Sequence, residues 1–197
     1  MLISVLLIIA AYLLGSISTA ITASRLMGLA DPRSTGSGNP GATNVLRSGG
    51  KRAAGITLVG DVLKGLLPAL LARGLGLDDI AVGAVALAAF CGHVYPVYYG
   101  FKGGKGVATA LGALCGLHLV VGACALMTWV FVAYVSRFSS VAALATSLLT
   151  PAYMFAITGS RWLTCIVVIM AIVIFWRHRS NIYHLLEGSE DKIGSSS

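Results

Sequence analysis

The stretch Val107-Ala-Thr-Ala-Leu-Gly-Ala-Leu-Cys-Gly-Leu-His-Leu-Val-Val-Gly-Ala-Cys-Ala-Leu-Met-Thr-Trp-Val-Phe-Val-Ala-Tyr-Val135 decides the fold. Its 29 residues carry no Asp, Glu, Lys or Arg. As a single helix it would extend about 43 Å at 1.5 Å per residue, well beyond a hydrocarbon layer of about 30 Å. Two full spans of about 20 residues each would need more chain than it has. Other apolar segments run from Leu2 to Ala23, Ala53 to Leu71, Ile80 to Pro96, Ser139 to Ile157 and Leu163 to Trp176. Charge arbitrates the count. If Val107–Val135 makes two passes, seven spans result. With the N-terminus outside, eleven bases then face the cytoplasm: Arg25, Arg33, Arg47, Lys51, Arg52, Lys102, Lys105, Arg137, Arg177, Arg179 and Lys192. Only Arg73 and Arg161 fall outside. Counted as one pass, the stretch sends Arg137 and the three later bases outside as well, and the positive-inside asymmetry largely disappears. The sequence therefore predicts an all-α, polytopic membrane protein of seven transmembrane helices, with a short or broken helix beginning near Val107.

Composition supports this. Of 197 residues, 57% are hydrophobic and 11% charged, and the mean hydropathy of +0.87 excludes an ordinary water-soluble domain. The 24 glycines suit helices that pack closely in lipid. The net charge of +7 would suggest nucleic acid in a soluble chain, but these bases gather at span ends, so a membrane surface and an anionic substrate are the expected partners and nucleic acid is not. Cys91, Cys115, Cys124 and Cys165 lie in apolar surroundings without metal-ligand spacing, and no metal or other cofactor is expected. No basic n-region or small-residue cleavage site accompanies the first span, which is expected to remain. Residues 1–187 read as one integral-membrane domain, and 188–197 as a loose, polar cytoplasmic tail.

The predicted topology puts three polar segments on the cytoplasmic face, where they can build one site. The first, Asp31 to Arg52, contains Gly36-Ser-Gly-Asn-Pro-Gly-Ala-Thr-Asn-Val-Leu-Arg47, whose glycines and Pro40 prevent regular helix while Thr43, Asn44 and Arg47 fall near the start of one. The second is Gly92-His-Val-Tyr-Pro followed by Phe101-Lys-Gly-Gly-Lys-Gly-Val-Ala-Thr109. Here Gly103, Gly104 and Gly106 free backbone amides for an anion, Lys102 and Lys105 supply countercharge, and a helix from Val107 aims its positive end at the same place. It is not a Walker A loop, because Gly106 follows Lys105 where a serine or threonine is needed. The third, Arg177-His-Arg-Ser-Asn-Ile-Tyr-His-Leu-Leu-Glu-Gly-Ser-Glu190, offers His178 and Asn181. His93 reads equally as a base, a phosphate donor or a satisfied interfacial histidine. Asp61 and Lys64 share a helix face inside the second span and read as an internal ion pair slightly more than as substrate ligands. At the head of the sixth span, either Ser139 or Ser140 can cap the helix or donate a hydrogen bond into the site, and Ser139 is expected to cap.

Together these three segments resemble the acyl-phosphate-dependent glycerol-3-phosphate acyltransferases of bacterial membranes, the PlsY type, over nearly the whole chain. The resemblance implies transfer of a fatty acyl group from acyl phosphate to the sn-1 hydroxyl of glycerol 3-phosphate, giving lysophosphatidic acid, at the cytoplasmic face of the bacterial inner membrane. By it Ser37, Arg47, Lys105 and Asn181 are expected to act in catalysis, and His93 is added to them as a candidate proton acceptor beside a phosphate oxygen. Thr43, Asn44, Lys102, Gly103, Gly104, Gly106, Ser140 and His178 are expected to bind substrate, and Glu190 matches a structural glutamate. The His-x-x-x-x-Asp pattern of acyl-CoA-using acyltransferases is absent, Tyr98 standing where His93 would need its aspartate. A transporter of a phosphorylated or anionic solute is the alternative reading, since broken helices and glycine loops also build transport sites, but no inverted repeat supports it.

Overall fold

The computed structural model describes residues 1–194. Among them every regular element is helical: α1 (Leu2–Gly15), α2 (Thr19–Leu26), α3 (Ala42–Gly74), α4 (Asp79–Val94), a 3₁₀ turn (Val97–Tyr99), α5 (Val107–Leu117), α6 (Leu119–Ser136), α7 (Ser139–Thr158), α8 (Arg161–Arg177) and α9 (Arg179–Leu186). Four helical stretches, 50–74, 79–99, 119–136 and 139–158, are long and apolar enough to cross a membrane. The bent pairs α1/α2 and α8/α9 raise the number to six, and the eleven-residue α5 stands apart as a short apolar helix. A count of seven thus depends on α5.

The deciding stretch does break, at His118, whose extended backbone (φ −159°, ψ 116°) ends α5 and starts α6. Arg73 donates to the carbonyl of Leu117 at 2.7 Å, satisfying one acceptor that the break exposes. The first span is broken as well, which its sequence does not announce. α1 and α2 meet at 44° across Ser16–Ser18. The Ser18 hydroxyl caps α2 by accepting from the Ile21 N–H. The carbonyl of Ile17 accepts from Lys64 Nζ at 2.8 Å, Lys64 pairs with Asp61 at 2.9 Å, and the Thr19 hydroxyl donates to Asp61. Both charged residues are buried. The charges within the second span therefore hold together the break in the first, where an unpartnered backbone carbonyl in lipid would cost several kcal/mol.

Small residues let the helices touch. A methyl group added at Gly112 would stand 1.9 Å from the Val62 carbonyl oxygen, and one at Gly65 2.1 Å from that of Thr109, so α3 and α5 meet backbone to backbone. α1 and α4 do the same through Gly15 and Gly92. Between them lies a core containing Val82, Val85, Phe90, Leu117, Met154 and Leu163. α6 sits at the periphery and exposes Met127, Phe131 and Tyr134, as a lipid-facing helix does. Within α3 the chain kinks at Gly50, whose φ of +81° a side chain would oppose, so residues 42–49 approach the span at an angle.

The head of α7 differs from expectation. Phe138, not Ser139, occupies the N-cap without a side-chain bond, and the Phe138 N–H instead donates to the hydroxyl of Ser136 at 3.1 Å. Residues 188–194 also depart from a loose tail, since the Ile193 N–H donates to the Arg137 carbonyl at 2.7 Å and Asp191 pairs with Arg47 at 3.1 Å.

Candidate active site

A cavity of about 900 Å³ opens among α3, α5, α6, α7 and α8. Its polar end draws on all three segments singled out in the sequence: Ser37, Thr43, Asn44 and Arg47 from the first, His93, Lys105 and Gly106 from the second, and His178 and Asn181 from the third. Ser140 completes this end, and Asp61 also touches the wall. Deeper in, Leu58, Leu111, Leu114, Trp129 and Met170 turn the cavity apolar.

The first segment is organised by Asn44, which is 2% exposed. Its Oδ1 accepts from the Ser37 N–H at 3.0 Å, and its Nδ2 donates to the carbonyls of Pro32 and Thr35 at 2.8 and 3.1 Å. Its acceptor and both amide hydrogens are thus engaged within the loop. Asn44, expected to bind substrate, shapes the turn that presents Ser37 and also lies on the cavity wall. Arg47 lies one turn further along α3 and bonds both the carboxylate and the backbone carbonyl of Asp191.

In the second segment Gly103 and Gly104 are each held by a neighbouring element. The Gly104 N–H donates to the His93 carbonyl at 3.2 Å, while the Gly103 carbonyl accepts from Arg177 Nη2 at 2.7 Å. Gly103 and Gly104 lie outside the cavity wall and Lys102 is exposed away from it, so these three expected ligands are not brought to the cavity. Gly106 does reach it, as the left-handed residue (φ +88°) that turns the chain into α5. The ring of His93 is 7% exposed. Its Nδ1 faces Asp61 at 3.4 Å, and its Nε2 side lies against Gly104.

Lys105, expected in catalysis, hydrogen-bonds Asn181 Oδ1, and Asn181 Nδ2 donates to Glu190 Oε1 at 2.7 Å. One line of contacts therefore joins the second segment to the third. Burial lowers the pKa of Lys105, the charge of Glu190 opposes that shift, and Arg177 and Arg47 add to it. His178 stands at the break between α8 and α9, with Nδ1 at 2.8 Å from the Ile174 carbonyl. A carbonyl only accepts, so the proton is on Nδ1 and Nε2 is left as an acceptor when the ring is neutral. Ser140 is 3% exposed and its hydroxyl has no hydrogen-bond partner among the described residues, a group suited to a ligand in the cavity it lines.

Two participants escape a reading of the sequence. Arg177 secures the Gly103 carbonyl from the third segment, and its only sequence signal is its place beside His178. Asp191 reaches Arg47 from a tail whose polarity suggests no docking.

Fold and site thus define a membrane-embedded helical protein in which a polar pocket holding Arg47 and Lys105 continues into an apolar groove. The chain belongs to the glycerol-3-phosphate acyltransferase family, whose sequence profile matches residues 5–188. It is 60% identical over 195 residues to the glycerol-3-phosphate acyltransferase of Thioalkalivibrio sulfidiphilus, covering 99% of this chain and 96% of that one. Identity to the enzyme of the same name from Methylococcus capsulatus is 52% over 190 residues, with 96% of each chain covered. Two crystal structures of PlsY (YgiH), an integral membrane glycerol 3-phosphate acyltransferase, share its fold. The glycerol 3-phosphate form superposes with a TM-score of 0.92 at 38% identity, covering 97% of this chain and 96% of that one. The lysophosphatidic acid form gives 0.89 at 36%, with 96% and 94% covered.

Proposed function

We propose that this protein transfers a fatty acyl group from acyl phosphate to the sn-1 hydroxyl of glycerol 3-phosphate, releasing lysophosphatidic acid and phosphate. The observation that carries this reading is the continuity of one cavity, with Arg47 and Lys105 at one end and an apolar wall of Leu58, Leu111, Leu114, Trp129 and Met170 further in. Ser140 and Thr150, both on its wall, lie ten residues apart on α7, which gives about 15 Å of groove for an acyl chain. Such a shape seats a phosphate at one end and hydrocarbon at the other.

Arg47 and Lys105 neutralise the phosphates of donor and acceptor and stabilise charge that builds on the departing phosphate. Ser37, Thr43 and Ser140 donate to phosphate or carbonyl oxygens, and His178 Nε2 accepts from a hydroxyl of the acceptor. Asn181 holds Lys105 in place. An acyl phosphate is a mixed anhydride with a good leaving group, so the acceptor hydroxyl attacks the carbonyl directly, the carbonyl–phosphate C–O bond breaks, and no covalent enzyme intermediate is needed. The hydroxyl proton goes to an oxygen of the leaving phosphate. His93, enclosed between Asp61 and Gly104, enters as the support of the Gly104–Lys105 loop rather than as the base. The site faces the cytoplasm across the inner membrane, a placement supported by the distribution of basic residues.

The test offers purified protein glycerol 3-phosphate with either acyl phosphate or acyl-CoA. Lysophosphatidic acid is expected from acyl phosphate alone, and equal use of acyl-CoA would overturn the donor assignment.

A further inference from the structure

The segment after α9 is bound into the site. Glu190 accepts from Asn181, the Ile193 N–H donates to Arg137, and Asp191 engages Arg47 through its carboxylate at 3.1 Å and its backbone carbonyl at 3.2 Å. Asp191 forms part of the cavity wall. Its side chain is nevertheless 62% exposed, against 10% for Glu190. It also lies beyond residue 188, where the match to the family profile ends.

We propose that Asp191 is a built-in occupant of the Arg47 anion site, displaced by the phosphate of an incoming substrate, and that it lowers the apparent affinity of this site for its anionic ligands. The proposal rests on the reading of Arg47 as a phosphate contact. A guanidinium accepts a carboxylate or a phosphate in the same planar fork. Any ligand that evicts Asp191 forfeits both its carboxylate and its carbonyl contact with Arg47. A phosphate brings up to twice the charge and three acceptor oxygens, so it gains on exchange. The pair is suited to displacement, because ion pairs exposed to this degree are weak and screened. Glu190 is not so suited. Less exposed and bonded to Asn181, it remains as the countercharge of Lys105.

The experiment compares the full chain with Asp191→Asn in the acyl-phosphate assay, using glycerol 3-phosphate and glycerate as acceptors and inorganic phosphate as competitor. Removing an exposed ion-pair partner should lower the KM for glycerol 3-phosphate about two- to fivefold. The inhibition constant of phosphate should fall in parallel, and use of glycerate relative to glycerol 3-phosphate should stay at the parent's ratio, since release of Asp191 is a cost common to both. A chain ending after Glu190 loses Asp191 by another route and should show the same fall in KM, which guards against an effect peculiar to the asparagine. A raised KM in both variants would make Asp191 a support of substrate binding and overturn the proposal, and an unchanged KM would make the contact inert and do the same. Arg47→Ala, run alongside, separates the two layers. If that variant keeps the KM of the parent, the phosphate reading of Arg47 falls; if it loses binding while Asp191→Asn changes nothing, only the present proposal falls.

Discussion

Gly104 lies so close to the ring of His93 that a methyl group added there would stand 2.2 Å from Nε2. The ring has little room to retreat, being buried, with Asp61 at 3.4 Å from Nδ1. The contact fixes where the chain turns into Lys105. Gly104→Ala is therefore expected to lower kcat/KM tenfold or more, in line with overpacking costs of about 1–3 kcal/mol. His93→Ala removes the obstacle, so the double variant should recover part of the loss measured for Gly104→Ala alone. Strictly additive losses in that cycle would show that the crowding is not the cause.

Arg47→Ala and Lys105→Ala should each reduce kcat/KM by at least one to two orders of magnitude, since a charge-assisted contact contributes about 1.5–3 kcal/mol. Both variants should keep the thermal stability of the parent in detergent, because neither residue is part of the packed core. Steady-state kinetics on the two proteins, with unfolding curves as control, measure this. Parental activity in both would remove them from the site.

How much of this was legible in the residues depends on the kind of signal. The break at His118 could be inferred because span length and the positive-inside asymmetry are both set by the bilayer, not by neighbouring helices. The meeting of Arg47, Lys105 and Asn181 followed from putting their segments on one face. The break between α1 and α2 could not be read, since it is stabilised by Lys64, 47 residues away from Ile17, and apolar periodicity continues through it. The glycine loop was half legible: the close approach of Gly103 and Gly104 to His93 and its backbone depends on a neighbour that the loop's own residues do not name. The loop-shaping bonds of Asn44 were not legible because a polar side chain at a helix start looks the same whether it faces a ligand or its own loop. Asp191 gave no warning at all, because a lone acid in a polar tail has no pattern.

Asn44→Ala removes the partners of the Ser37 N–H and of the Pro32 and Thr35 carbonyls at a buried position. Unsatisfied buried groups cost about 1–3 kcal/mol each, so the unfolding midpoint should fall and the KM for glycerol 3-phosphate should rise as Ser37 loses its place. Asn44→Asp should be no better, because a carboxylate has no hydrogen to donate to the two carbonyls. Recovery of normal stability and KM by the aspartate would show that the donor half of the amide is dispensable.

Cysteines placed singly at Ser34 and Ser180 should be inaccessible to a membrane-impermeant thiol reagent in intact cells and react after permeabilisation, both positions being exposed on the protein surface. The expectation follows from eleven bases placed inside against two outside. Labelling of either cysteine in intact cells would reverse the orientation.

The last expectation concerns pH. Lys105 works as a cation, and burial holds its pKa below the ordinary lysine value of 10.5, with Glu190 pulling it back up. Activity should accordingly fail on the alkaline side at a lower pH than an ordinary lysine would set. Glu190→Gln takes away the opposing charge and should move that limb to still lower pH. Lys105→Arg, which keeps its charge throughout, should abolish the limb in whatever activity remains. Stability responds with the opposite sign. Between the folded and unfolded pKa values the unfolded chain binds more protons at this lysine, so its contribution to stability rises with pH while turnover falls. Profiles of kcat/KM and of unfolding temperature, taken on the same samples across the alkaline range, should therefore diverge in the parent, and the Lys105 share of that divergence should vanish in Lys105→Arg. An alkaline limb unmoved by both substitutions would assign the titrating group elsewhere.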